Sequence, residues 1–221
     1  MNIENAYLRF LQLVNGNATN NNISVDKPRF VLLFNSAQIK FVEHILDKRN
    51  DDSIRYVSEL LVPDKSLGKV GDSVTHSSFK LPDDYFDMSS AFAEASYKDC
   101  RDKIKLYEAK SEDLEEKYND WSHEPSFQYR ESFYLTASGS LLIYKKGFDI
   151  EKAYLTYYRY PKKVDIEGYT HVDKTASTTI DPELSDRAVE IVLKVAAKEL
   201  AANSGNPGQY QLEKDLLTPS F

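Results

Sequence analysis

The chain has 221 residues, 41% hydrophobic and 29% charged, with a formal net charge of -7 and a pI near 5.2. That length fits one domain or one domain with an extension, and it is long enough to bury a proper core. The acidic balance argues against a tight, sequence-independent grip on nucleic acid, which needs clustered cations, and the lone Cys100 excludes an internal disulfide.

Met1 to Val14 reads as an amphipathic helix, with Ile3, Tyr7, Phe10, Leu11 and Val14 on one face. Its start has neither a basic region nor an apolar run, so no signal peptide is visible. Asn15-Gly16-Asn17 stops the helix, and an Asn-rich loop follows to Asn22. Asn35 to Lys48 reads as the next helix, with Asn35 and Gln38 in a capping-box pattern and Ile39, Val42, Ile45 and Leu46 facing inward. A short helix from Ser53 ends at Pro63, and Ser66 to Asp72 reads as a loop.

The middle of the chain turns to strands. Val74 to Leu81 is extended, and Pro82-Asp83-Asp84 breaks it. Phe92 to Tyr97 is open between strand and helix. Lys103 to Ala109 alternates as a strand, and Ser111 caps a short charged helix through Tyr118. Glu131 to Pro161 reads as a three-stranded meander with a Ser138-Gly139 hairpin turn and a second turn at Lys146 to Asp149. The spacing also predicts a long helix from Pro182 to Ala202, with Asp181 as N-cap and Pro182 in the first position. Nowhere do about eighteen apolar residues run together, so no membrane span is expected.

Chemistry-bearing motifs are sparse. His44, His76, His123 and His171 lie far apart in sequence, and Cys100 has no cysteine partner, so no metal or cofactor is expected. Leu67 to Asp72 lacks phosphate-loop spacing. Asp51-Asp52 and Asp83-Asp84 sit where caps and turns use Asp. No catalytic residues emerge, and the chain reads as a non-enzyme. A hydrolase whose site is assembled only by the fold stands as a further reading.

The richest segment is Ile150 to Tyr160. One face carries Tyr154, Thr156, Tyr158 and Tyr160, and the other Ala153, Leu155 and Tyr157. Such a strand can be buried within its own subunit, form a subunit interface, or stack bases of single-stranded nucleic acid with Arg159, Lys162 and Lys163 nearby. The helix from Pro182 is apolar over more than the usual stripe, with Arg187, Glu190, Lys194 and Lys198 on its polar side. Tyr154, Tyr157, Tyr158, Leu193, Ala197 and Leu200 are therefore candidate core or interface positions. Tyr210, Leu212, Leu216, Leu217 and Phe221 form a candidate docking tail.

The order of these pieces resembles the head–tail adaptor, or connector ring, proteins of tailed bacteriophages, closest to short-tailed and crAss-like phages. Four features carry the likeness: the early helices; Phe79-Lys-Leu-Pro-Asp-Asp-Tyr85; Ala153-Tyr-Leu-Thr-Tyr-Tyr-Arg-Tyr-Pro161; and Ile180-Asp-Pro-Glu-Leu184 opening an Ala-rich helix. The resemblance implies an α+β subunit, with a helical body, an antiparallel β-meander region and a long buried C-terminal helix. It implies an adaptor core over 73–221, with β-region 73–163 and helices in 180–221; the N-terminal helical extension over 1–72 departs from the family's compact members and reads as a docking extension. It further implies a homo-oligomeric ring, commonly twelvefold, in the virion neck, made in the host cytoplasm. Its partners would be other copies, the portal protein, tail or further ring proteins, and double-stranded DNA passing without specific binding.

Overall fold

The computed structural model of the chain describes residues 1–15 and 24–204. Among the described residues it is a mixed α and β protein with five α-helices and an eight-stranded curled sheet. Two compact units divide it: a mainly helical one from Met1–Leu60 and the chain from Pro161 onward, and a sheet unit over Leu61–Tyr160.

In the helical unit, α1 (Ile3–Asn15) buries Ile3, Ala6, Phe10 and Val14, the three-and-four spacing of one helix face. The Asn2 side chain accepts from Asn5 N at 2.9 Å and caps its start. α2 (Lys27–Lys48) begins well before Asn35, because Asp26 caps it and Pro28 sits in its first turn. Asn35 and Gln38 are therefore mid-helix, and they do different work. The Asn35 amide donates to Val164 O at 3.0 Å and accepts from Val164 N at 2.9 Å. Gln38 Nε2 donates to Lys162 O at 3.0 Å. Two amide side chains thus satisfy backbone groups of 162–164 that would otherwise need a strand partner.

α2 ends where Arg49 takes a left-handed conformation, φ 44°, with its N–H on Ile45 O. α3 (Asp51–Ile54) is capped by Asn50, and a 3-10 segment, Arg55–Leu60, buries Tyr56, Val57 and Leu60. α4 (Leu114–Asn119) belongs to the sheet unit. α5 (Asp186–Ser204) packs against α1 and α2. It opens at Asp186 rather than Pro182, since Ser185 O accepts from Val189 N. The expected cap Asp181 instead accepts from Ile3 N at 2.8 Å and so caps α1. The Phe30 ring anchors this core, 5.1, 5.2 and 5.7 Å from Tyr7, Phe10 and Phe34.

The sheet unit contains β1 (Leu61–Leu67), β2 (Lys69–Asp72), β3 (His76–Lys80), β4 (Tyr85–Tyr97), β5 (Cys100–Glu108), β6 (Glu131–Ala137), β7 (Ser140–Tyr144) and β8 (Asp149–Arg159). Their order is β1-β8-β4-β5-β6-β7-β3-β2. All pairs are antiparallel except β5 with β6, whose parallel pairing needs the crossover over 109–130. The first hairpin of the expected meander forms, and Ser138 and Gly139 both have positive φ, 49° and 71°, as a tight hairpin turn requires. β8 then leaves the meander and pairs with β4 and β1. The expected loop over 66–72 is mostly strand, because Leu67 faces the core and Lys69 to Asp72 pair with β3.

Gly68 alone separates β1 at one edge of the sheet from β2 at the other. A flat sheet of eight strands would hold its edges roughly 34 Å apart, whereas Leu67 and Lys69 lie within about 7 Å of each other. The sheet must therefore curl until Leu61 to Asp72 closes it as a barrel. Pro63 is accommodated at the β1 bulge between Val62 and Lys65. The interior holds Phe79, Ile104, Leu141, Ile143, Ile150 and Leu155 around three alanines of β4, Ala91, Ala93 and Ala95. Those alanines resolve the Phe92 to Tyr97 ambiguity: alternation places them inward, where the barrel has little room.

Candidate functional site

The Tyr-rich strand is β8, and its tyrosines are engaged by their own unit. Tyr157 faces the barrel interior, donates to Asp84 at 2.8 Å, and has its pKa pushed up to about 12 by burial and then by that bond. Tyr158 is also buried. Tyr154 lies on the outer face, stacked on Phe92 at 4.8 Å and donating to Glu94 at 3.1 Å. Tyr160 meets Phe86 edge-on at 4.5 Å. In α5, Leu193, Ala197 and Leu200 are buried, while Lys194 and Lys198 are exposed. Tyr210, Leu212, Leu216, Leu217 and Phe221 lie outside the described residues.

The carboxylates and histidines fall into separate structural roles. Asp83 pairs with Lys80 at 3.0 Å, and Asp84 holds Tyr157. Asp52 N donates to the Asn50 cap. His44 is exposed on α2, and His76 lies between the Ser73 and Thr75 hydroxyls. Among the described residues no three metal-ligating side chains converge.

Two polar nodes were not legible in the sequence. At the barrel, the nearly buried Lys145 ammonium donates to Asp72 at 2.8 Å and Asp149 at 3.0 Å. The bonds from Lys145 and then Ser77 hold the Asp72 carboxyl well below its ordinary value. Burial pulls the Lys145 pKa down, but its two carboxylate partners outweigh that and raise it. In the helical unit, Asp165 accepts from Tyr169 Oη at 2.6 Å, His171 Nε2 at 3.1 Å, Thr178 N at 2.9 Å and Ile166 N at 2.9 Å. Burial alone would raise its pKa; those bonds outweigh burial and lower it. This node ties 165–178 into a fixed loop and presents Val172 fully to solvent.

The surface that sequence reasoning missed is on the barrel. Tyr107 is 47% exposed, Tyr129 72%, and Trp121, the single tryptophan, 85%. All three come from β5 and the crossover into β6. Between those strands and the 117–123 segment lies an open cleft of about 290 Å³, lined by Tyr107, Glu108, Lys117, His123, Glu131 and Phe133. Beside it the outward positions of β5 alternate as Arg101, Lys103, Lys105 and Tyr107, all exposed. Lys103 sits over the Phe92 ring at 4.8 Å and Lys105 over Tyr107 at 4.9 Å. The one sequence signal was Trp121 itself, set between Asp120 and Ser122 in a polar stretch where a core residue is not expected.

No protein-family model matches the chain, and no curated protein matches it. Among the described residues no helix is long and apolar enough to cross a membrane.

Proposed function

We propose that the chain is a non-enzymatic structural subunit of a bacteriophage virion, a head–tail adaptor that forms a homo-oligomeric ring between the portal and the tail. The observation that carries this reading is the exposed aromatic set Tyr107, Trp121 and Tyr129. The barrel's interior is already filled by its own side chains, so this contact area serves another molecule. In this reading the helical unit, with its long buried α5, is the packed body. The barrel faces neighbouring subunits or tail components. The acidic net charge suits a channel that DNA crosses without sticking, and mapping a lumen lined mainly by Lys and Arg would contradict that part.

The alternative, single-stranded nucleic-acid binding by the Tyr strand, has less support. Tyr157 and Tyr158 are buried, and Tyr154 already stacks on Phe92. The test of the main reading is electron microscopy of the chain mixed with capsids that carry a portal but no neck. Ring-shaped density seated on the portal is expected. A chain that docks to no portal overturns the reading.

A further inference from the structure

The outer face of β6 and β7 carries a small aromatic cluster. Alternation with the interior residues Tyr134, Leu141 and Ile143 turns Phe133 and Tyr144 outward, and their rings stack at 4.9 Å. Phe133 is nevertheless only 4% exposed, and the crossover covers it. Tyr118 of α4 meets Tyr144 edge-on at 6.3 Å, and Lys117, Ser122 and His123 form the far wall of the cleft over Phe133.

That cover is weakly held. Segment 110–124 contains no buried residue, whereas Ala109 and Pro125 at its two ends are buried. Both ends are tied to β6: Ala109 N donates to Tyr134 O at 2.9 Å, and Ser126 N donates to Glu131 O at 2.9 Å. Among the described residues, the polar ties from 110–124 to the sheet unit's strands converge on Lys145 and Lys146, just beyond β7. Tyr118 Oη donates to Lys145 O at 3.2 Å, and the Lys146 ammonium donates to Tyr118 O at 3.3 Å, pairs with Glu124 and lies over the Tyr118 ring at 5.4 Å. The Lys146–Glu124 pair stands in solvent, where such pairs contribute little. The open cleft beneath leaves dispersion contacts unmade.

A segment with fixed ends, no buried side chain and one exposed clamp opens locally far more easily than the sheet beneath it. We propose that 110–124 is a strap, clamped shut by Lys146, whose lifting bares Phe133 and Tyr144. Closed, it lays a polar cover on β6 and β7. Open, it joins Phe133 to Tyr107, its neighbour in the parallel register, in one aromatic strip. The strap goes beyond the adaptor reading and does not need it: a chain that docks to no portal overturns that reading and leaves the strap standing.

Native-state hydrogen exchange of the full chain tests it. The amides of Asp120, His123 and Glu124 are bonded within the strap. They are expected to exchange at least about 100-fold faster than those of Leu141 and Ile143 in β7, with a weak urea dependence, as local opening requires. Lys146→Met, at an exposed position, should speed the strap amides about fivefold and leave the β7 amides unchanged. In a Cys100→Ser background, Phe133→Cys places a thiol under the strap. That thiol should react with a maleimide without urea, and about fivefold faster once Lys146→Met is added.

The smaller side chain at position 133 can only loosen the cover, so a thiol that stays unreactive until the whole chain unfolds overturns the proposal. If Phe133→Cys does not fold, exchange in the wild type and in Lys146→Met decides alone. Strap amides that share the rate and urea dependence of β7, or that ignore Lys146→Met, overturn the strap.

Discussion

Both units bury aromatic rings, but the sheet unit also leaves several of its largest in solvent. In the helical unit Phe10, Phe30 and Phe34 are completely buried and touch in series. In the barrel, three alanines of β4 line the interior, while Tyr107, Trp121 and Tyr129 stand in solvent. A three-helix contact has wide gaps between cylinders, and large rings fill them. A small closed barrel has a narrow lumen, so part of its aromatic area is left outside. Rings in the first unit hold the fold together, and the exposed rings in the second are available for contact.

Substitutions can break or sharpen that contrast. The largest effect is expected at Phe30→Ala, which leaves a cavity where three other rings meet and should cost about 3–5 kcal/mol in urea unfolding. Next is the alkaline limb of stability. The folded pKa of Tyr157 is raised to about 12 against an ordinary value of about 10. Its contribution is present below pH about 10 and is lost as pH rises toward 12, a change of roughly 2–3 kcal/mol. Melting curves of Tyr157→Phe should show that limb flattened.

A smaller effect is expected in acid. The Asp165 pKa is lowered on folding, so its contribution is present above about pH 4 and fades as pH falls through the folded value. Asp165→Asn should lose about 1–2 kcal/mol at neutral pH and show a shallower acid limb in the same melts. Trp121→Ala should change stability least, within about 0.5 kcal/mol, because the ring is mostly in water. A large loss there would erase the contrast between the units.

Much of the local structure could be read from the sequence. The helix at the N-terminus, the Ser138-Gly139 turn and the buried face of α5 follow from periodicity and turn chemistry. Where the reading failed, long-range partners decided the outcome. Asn35 looked like a cap because Asn usually caps; its true partner, Val164, lies 129 residues away. Asp181 looked like the cap of its own helix and instead caps α1. β8 looked like the third strand of a meander, but pairing with β4 and β1 closes the barrel. The exposed aromatic and charged faces were invisible because exposure is a property of the closed barrel, not of any short stretch of sequence.

The single tryptophan gives the most direct test of the claim that the barrel's exposed rings meet another molecule in the assembled state. Trp121 emission and acrylamide quenching should be measured in the free chain and in the ring formed on a portal. A blue-shifted emission with reduced quenching is predicted on assembly. Emission and quenching that stay those of a solvent-exposed indole in a fully assembled ring would contradict the account.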